Sequence, residues 1–482
     1  MNHQEPMPVC SRRSLLKSTA CGFGSLAWSA MMSQSAAAAT GSGISNPLAS
    51  KPTHHPARAK RIIFLFMSGG PSHVDSFDPK PILSRENGRM MHFNDPRSLA
   101  KTGQGAEQRV MKELWKFRQY GKSGLPVSDL FPHMGSIVDD LCVVRSMVTE
   151  GVAHGPATLF LHTGSTNFIR PSMGSWITYG LGTENQNMPG FVSLSPALGN
   201  GGPRNYGNAF LPAVYQGTAV GRPGIPARDS KIRNLGDPQR SWEVQKSQFD
   251  LIQQLNHAQL QSRGPNPELD AVLSSYELAW RMQTAAPSVM DISGESAATL
   301  QLYGIGQEPT DNYGRMCLTA RRLVESGVRY VQVNYTDNTN NPSWDQHANL
   351  PKHEEHARAV DQPVAALVKD LKARGLLEDT IVWWGGEFGR TPYAERNGTG
   401  RDHNPAGFTV WLAGGGFKPG FAYGSTDEYG FQAVENRVHM HDLHATIMHQ
   451  LGLDHTRVTY RHAGRDYRLT DVHGEVVHGL FS

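Results

Sequence analysis

The sequence predicts an α/β fold: a three-layer α/β/α sandwich on a largely parallel central sheet, with an irregular and helical cap insertion. Three observations predict it. Short apolar runs such as RIIFLFM at 61–67 and TIVWW at 380–384 have the length and β-branched or aromatic content of strands buried on both faces. From 313 to 413 such runs alternate with helical patterns, as parallel strands joined by crossover helices require. The runs end in loops rich in Gly, acid and His, and ligands bind at the carboxyl ends of strands in such sheets.

The elements follow in order. Residues 51–60 read as a basic, histidine-containing linker, and 61–67 as the first strand, ending in the turn-rich loop Ser68-Gly69-Gly70-Pro71-Ser72-His73-Val74-Asp75. The segment 141–147 reads as a second strand, and 156–162 as a helix running into Thr163-Gly164. From 191 to about 236 the chain is rich in Gly, Pro and Asn, which predicts an irregular insertion over the active face. Two polar amphipathic helices follow, at 242–261 and 267–283, and complete a cap over about 195–300. The regular alternation then begins: helix 313–326, strand 328–333, helix 351–373, strand 380–384 and strand 408–413. His353 and His356 fall on a polar helix and are expected in solvent.

The N-terminus has the pattern of an export signal. Ser11-Arg12-Arg13-Ser14-Leu15-Leu16-Lys17 precedes a weakly apolar stretch and four alanines, Ala36 to Ala39, as in a twin-arginine signal peptide with a small-residue cleavage site. Residues 1–39 are therefore assigned to the signal, 40–60 to a linker and 61–482 to one domain. This places the mature protein in the periplasm or outside the cell, with the twin-arginine translocase as a partner during export. No transmembrane segment is expected, since no run of ~18 apolar residues occurs elsewhere.

Of 46 Lys plus Arg and 43 Asp plus Glu, 43 and 42 remain once the signal is removed. That balance gives no basic field for nucleic acid. Removal of the signal also leaves Cys142 and Cys317, both in apolar surroundings and without the spacing of a zinc or redox site, so buried thiols are expected instead of a bridge.

Three segments carry the chemistry. Trp344-Asp345-Gln346-His347, Gly386-Glu387-Phe388-Gly389-Arg390 and Gly400-Arg401-Asp402-His403-Asn404 put carboxylate and imidazole ligands in loops beside the strand runs. Such groups converging on one crevice make a metal site able to act on an anionic ester, with one or two divalent ions (Zn, Mn, Ca or Mg) balancing charge and activating water. Arg390 and Arg401 offer forked donors for an anionic oxygen, and Asn404 a further polar contact. Each loop alone also fits a plain reading, with Asp345 as a helix cap and Glu387 paired to Arg390. His439, His441, Asp442 and His444 fit capping or core-edge roles near the final helix.

Together with Met67-Ser68-Gly69-Gly70-Pro71-Ser72-His73-Val74-Asp75-Ser76-Phe77-Asp78 and the ending His441-Asp442-Leu443-His444, these segments resemble the alkaline phosphatase superfamily. Within it they are most similar to an exported sulfatase-like family of unknown function, domain of unknown function 1501, from about Arg61 to the C-terminus. The resemblance implies that Asp345, His347, Glu387 and His403 are metal ligands, joined by His73 and Asp75 from the first-strand loop. Ser68 stands where the superfamily usually has Asp, and the Asp345-to-His347 spacing is shorter than its pattern. Counting back from Thr163-Gly164 puts His154 at the sulfatase nucleophile position, with Pro156 in place, so formylglycine chemistry is not expected. His154 is open to three roles, as ligand, general base or nucleophile, the first two ranking higher; Thr158 and Ser72 are remoter candidates for attack. The implied function is an exported metal-dependent hydrolase of phosphate or sulfate esters, with sulfated or phosphorylated polysaccharide among the substrates. The alternative is an inactive sulfatase-like protein that binds anionic glycans or serves in an envelope complex.

Overall fold

The computed structural model describes residues 46–94, 106–232, 236–237, 239–263, 266–337, 341–395 and 399–482. The expected signal peptide lies outside these residues, as do residues 40–45 of the linker. Residues 46–60 are anchored to the domain: Leu48 and Ala59 are buried in the core, and Lys51 and His54 donate backbone N–H groups to Leu181 and Gly452.

The central sheet collects the apolar runs. Its strands are β1 (Arg61–Met67), β2 (Leu141–Val148), β3 (Phe191–Leu194), β4 (Thr218–Val220), β5 (Tyr330–Tyr335) and β6 (Thr380–Gly385). Two further strands, β7 (Gly389–Ala394) and β8 (Arg401–Asn404), leave the sheet, and β9 (Phe408–Ala413), β10 (Phe421–Tyr423) and β11 (Val438–His439) return to it. The order is β10-β2-β9-β6-β1-β5-β3-β4, with β11 also on β2. Of these only β9 is antiparallel to its neighbours, β6 and β2. The carboxyl ends of β1, β2, β5 and β6 therefore share one edge.

Side chains alternate across the sheet as a strand's two-residue period dictates. On one face Phe64 stacks on Trp383 at 3.8 Å and meets His162 of helix α1 (His154–Thr163). On the other, Trp384 meets Phe77 and Phe131. Beyond α1 the chain forms α2 (Met173–Leu181), the pair α3 (Trp242–Arg263) and α4 (Pro267–Met290), then α5 (Asp311–Glu325), α6 (His353–Ala373) and α7 (Met440–Gln450). The helices α5 and α6 pack on each other, and α5 also packs on β5, giving the expected α/β/α layering.

The region expected to form the cap divides in two. Its first part, around 196–205, lies beside α1, whereas α4 packs against α5 and places Leu278, Met282 and Ala286 in the main core. Cys142 and Cys317 are free and buried. Among the described residues no helix is long and apolar enough to cross a membrane. His353 corrects its expectation: it is fully buried and accepts the Ser72 N–H on Nε2, because its turn of α6 faces the first-strand loop.

A histidine and carboxylate cluster at the strand ends

Three separate segments deliver the residues of the cluster. Asp345 and His347 follow β5, where Trp344 N–H bonds Ser68 O at 3.1 Å and draws the loop against the end of β1. Gly69 makes that approach possible: its φ is +109°, and a Cβ there would lie 2.6 Å from Asp345 N. His154 opens α1 beyond β2. His403 sits on β8, whose antiparallel pairing with β7 sets it opposite Arg390.

The ring nitrogens of three histidines converge on Asp345. His347 Nε2 is 2.8 Å and His403 Nε2 3.3 Å from Asp345 Oδ1, and His154 Nε2 is 3.1 Å from Oδ2. The His347 and His403 Nε2 atoms are 3.0 Å apart, and one ligand atom from each of the four residues lies within 4.8 Å of every other. A tetrahedral ion with metal–nitrogen bonds of ~2.0–2.1 Å sets its ligand atoms roughly 3.3 Å apart, so the residues fit one.

The opposite ring nitrogens decide the tautomers. His154 Nδ1 lies 2.6 Å from Glu387 Oε1, His403 Nδ1 lies 2.7 Å from Val152 O, and His347 Nδ1 bonds Glu395. Each partner is an acceptor only, so each Nδ1 carries the proton and each neutral ring turns the lone pair of Nε2 inward. With the rings neutral, three lone pairs and a carboxylate face one point, a repulsion that a bound cation relieves, as does a proton on Nε2 shared with Asp345. His154 Nε2 is buried and lies 3.1 Å from Asp345 Oδ2 outside hydrogen-bond geometry, which is consistent with this. Carboxylates or carbonyls behind ligating histidines are the usual support of a metal site.

Charge agrees with geometry. Asp345, Glu387, Glu395 and Asp402, the last 3.7 Å from His347 Nδ1, contribute four negative charges, and Arg390, 2.8 Å from Asp345 Oδ1, contributes one positive; a divalent ion neutralises most of the remainder. Burial alone would raise the Asp345 pKa, but the three histidines and Arg390 together hold it far below the usual carboxylate range. Burial also acts to lower His154 and His347; carboxylate contacts outweigh it and both are raised. His403 is lowered to about 4, chiefly by burial and also by the charges of Arg390 and His154. His347 is the open edge of the cluster, with 29% of its side chain exposed.

The other candidates serve the frame. Glu387 is not among the four clustered ligands: both its oxygens accept Gly69 N–H at 3.0 Å while one holds His154. His73 is fully buried, with Nε2 on Gly430 O at 2.7 Å, and burial lowers its pKa. Asp75 accepts from Ser72 Oγ, Leu114 N and Arg401 Nε, which takes it away from the ligand set. Arg401 spends its remaining donors on the carbonyls of Met111, Thr391 and Lys112. Arg390 bonds Gly69 O, Gly70 O, Arg401 O and Asp345. Asn404 Nδ2 serves the carbonyls of Gly407, Gly430 and Phe431. These three residues, expected to bind substrate, are bonded to the protein instead. Sequence reasoning missed Glu395, which lies 48 positions from the histidine it holds and belongs to no motif.

A family model described as "Protein of unknown function (DUF1501)" matches residues 59–481. The chain belongs to the DUF1501 family. No curated protein matches this DUF1501 chain. Among solved structures it is similar to Ps i-CgsB, determined in complex with k-i-k-neocarrahexaose, with 11% identity, 82% of this chain and 72% of that one covered, and a TM-score of 0.37. It is also similar to the PsFucS1 sulfatase from Pseudoalteromonas sp., with 11% identity, coverage of 82% and 68%, and a TM-score of 0.33. The alkaline phosphatase from the Antarctic bacterium TAB5 aligns with 10% identity, coverage of 82% and 97%, and a TM-score of 0.29. At such scores the chemistry of the DUF1501 chain has to be argued from its own residues.

Proposed function

We propose that the protein is a metal-dependent hydrolase of phosphate or sulfate esters, working outside the cytoplasm after twin-arginine export. The observation that carries this reading is the convergence of His154, His347 and His403 on Asp345, each ring backed by an acceptor on Nδ1. The ligand set narrows the ion: three imidazoles favour Zn or Fe, whereas Mg and Ca take oxygen ligands. An ion bound there supplies Lewis-acid charge for an anionic ester. The chain supplies the rest. Glu387 and Glu395 orient His154 and His347, Arg390 compensates Asp345, and the half-exposed edge at His347 is where an ester approaches. In this reading His154 is a ligand, neither nucleophile nor base.

One observation favours a second reading. Four protein ligands complete a tetrahedron, the mark of structural zinc, whereas catalytic sites keep a position open. A protein with this site filled and inert would bind anionic glycan or serve in an envelope complex. Turnover separates the two. Metal-loaded protein is assayed on 4-nitrophenyl phosphate, bis(4-nitrophenyl) phosphate and 4-nitrophenyl sulfate, before and after chelation and in Asp345→Asn. Hydrolysis lost in both controls supports the hydrolase; full metal occupancy without turnover of any ester selects the second reading.

A further inference from the structure

A pocket lies along the same strand ends. Its walls are Phe66 and Ser68 at the end of β1, Thr158 of α1, Gln332 and Asn334 of β5, and Asn205 from the segment after β3. It adjoins the cluster on two sides. Thr158 is one helical turn from His154, hence ~6 Å along and around the same face, and Ser68 O holds the N–H of Trp344, next to Asp345.

No charged residue lines this pocket, yet three buried polar atoms in its walls lack a hydrogen-bond partner: Thr158 Oγ1, Asn205 Oδ1 and Gln332 Oε1. Surrounding bonds fix what these atoms offer. Asn334 Nδ2 donates to Leu194 O at 2.7 Å and Ser193 Oγ at 3.1 Å, which turns its Oδ1 to Gln332 Nε2 at 2.6 Å and leaves Gln332 with an acceptor. Asn205 Nδ2 donates to Asn200 O at 3.1 Å, leaving its oxygen likewise. The pocket thus presents two fixed acceptors and one hydroxyl that both donates and accepts.

That inventory selects its ligand. Sulfate and phosphate oxygens only accept, so two amide oxygens repel them, whereas a hydroxyl donates to one oxygen and accepts from Thr158. Each buried acceptor left unpaired is unfavourable, and a donor recovers that loss. Phe66, Pro196 and Ala197 supply apolar wall, and the cavity of about 10 Å³ has room for a single hydroxyl group but not for a hydrated cation. We propose that this pocket receives an uncharged hydroxyl of the alcohol half of the ester, as on a saccharide ring beside its esterified position, while the anionic group lies at the cluster. This rests on the hydrolase reading for the ester but not for saccharide binding.

The test uses metal-loaded, full-length protein, Gln332→Met and Thr158→Val, which remove polar atoms at nearly constant size. Saturation-transfer NMR with methyl β-galactopyranoside and methyl β-glucopyranoside is expected to show contact in the parent and its loss in both variants. With esters, the ratio of kcat/KM for glucose 6-phosphate or galactose 6-sulfate to that for the matching 4-nitrophenyl ester is expected to fall about tenfold in the variants. Should Gln332→Met fail to fold, Thr158→Val carries the comparison. Saccharide contact without turnover of any ester would defeat the hydrolase reading and leave this pocket standing. Turnover with no saccharide contact in the parent, contact unchanged in the variants, or saturable K+ or Ca2+ binding lost in Gln332→Met would each overturn the pocket assignment.

Discussion

Glu387 is the residue whose role the structure changes most, and Glu387→Gln isolates that role. The substitution keeps the size of the side chain and one oxygen. Gly69 N–H, 3.0 Å from both carboxylate oxygens, needs an acceptor and holds the amide oxygen inward, where His154 Nδ1 also reaches it. The tautomer of His154 therefore survives, and what is lost is the negative charge that makes Nε2 more basic. Loss of such a supporting carboxylate weakens metal binding about 10- to 100-fold, or about 1.4–2.8 kcal/mol. Competition with a chromophoric zinc chelator near pH 7 measures this directly. The expected result is a dissociation constant raised within that range, with one ion per chain still bound at saturation. An unchanged constant would show that His154 is no ligand, and total loss of binding, as for Asp345→Ala, would restore Glu387 to the ligand set.

Other outcomes follow from the frame. Arg401→Ala strips the fully buried Asp75 of its guanidinium and is expected to cost about 3–5 kcal/mol; chemical denaturation checks this, and Asp75→Ala in the same chain should recover part of the loss. His162 and His444 are each lowered to about 4, chiefly by burial. Between pH 6.5 and 4 the unfolded chain takes up protons that these folded histidines refuse, so stability falls as pH falls through that window. Asp361, raised to about 7 by burial, acts in the opposite sense, since below pH 7 the folded state holds its proton first. Thermal melts against pH should show a shallower acid loss in His444→Gln and a steeper one in Asp361→Asn.

Much of the fold was legible because its core strands are apolar throughout. RIIFLFM is a strand over Arg61–Met67 as expected, and Phe408–Ala413 has the expected ends. The strand expected at 328–333 is shifted to Tyr330–Tyr335; Val328 N–H still bonds back to Leu323 O at the end of α5. The strands β7 and β8 gave no such signal. Arg401–Asn404 has the sequence RDHN, without apolar alternation, and is held by pairing to β7 and by the Arg401 ion pair with Asp75, 326 positions away.

The site shows the same division. Residue types and loop positions pointed to Asp345, His347 and His403, because acid and imidazole at strand ends is a local pattern, whereas His154 came from the family resemblance, by its distance from Thr163-Gly164. Which neighbour binds the ion and which stands behind a ring depends on a few ångströms set by distant segments. Glu387 was thus read as a ligand, and the guanidinium groups of Arg390 and Arg401 as facing substrate when they face backbone carbonyls. Glu395 was invisible for the same reason, its partner His347 being a neighbour only in the fold.

Metal content of the folded, exported protein tests the central claim most directly. Elemental analysis is made on the parent, Asp345→Ala and His403→Ala, each shown to be folded by circular dichroism. The account predicts close to one Zn or Fe per parent chain and its loss from both variants. A well-folded parent that carries no metal and takes none up from Zn, Fe, Mn, Mg or Ca would contradict it.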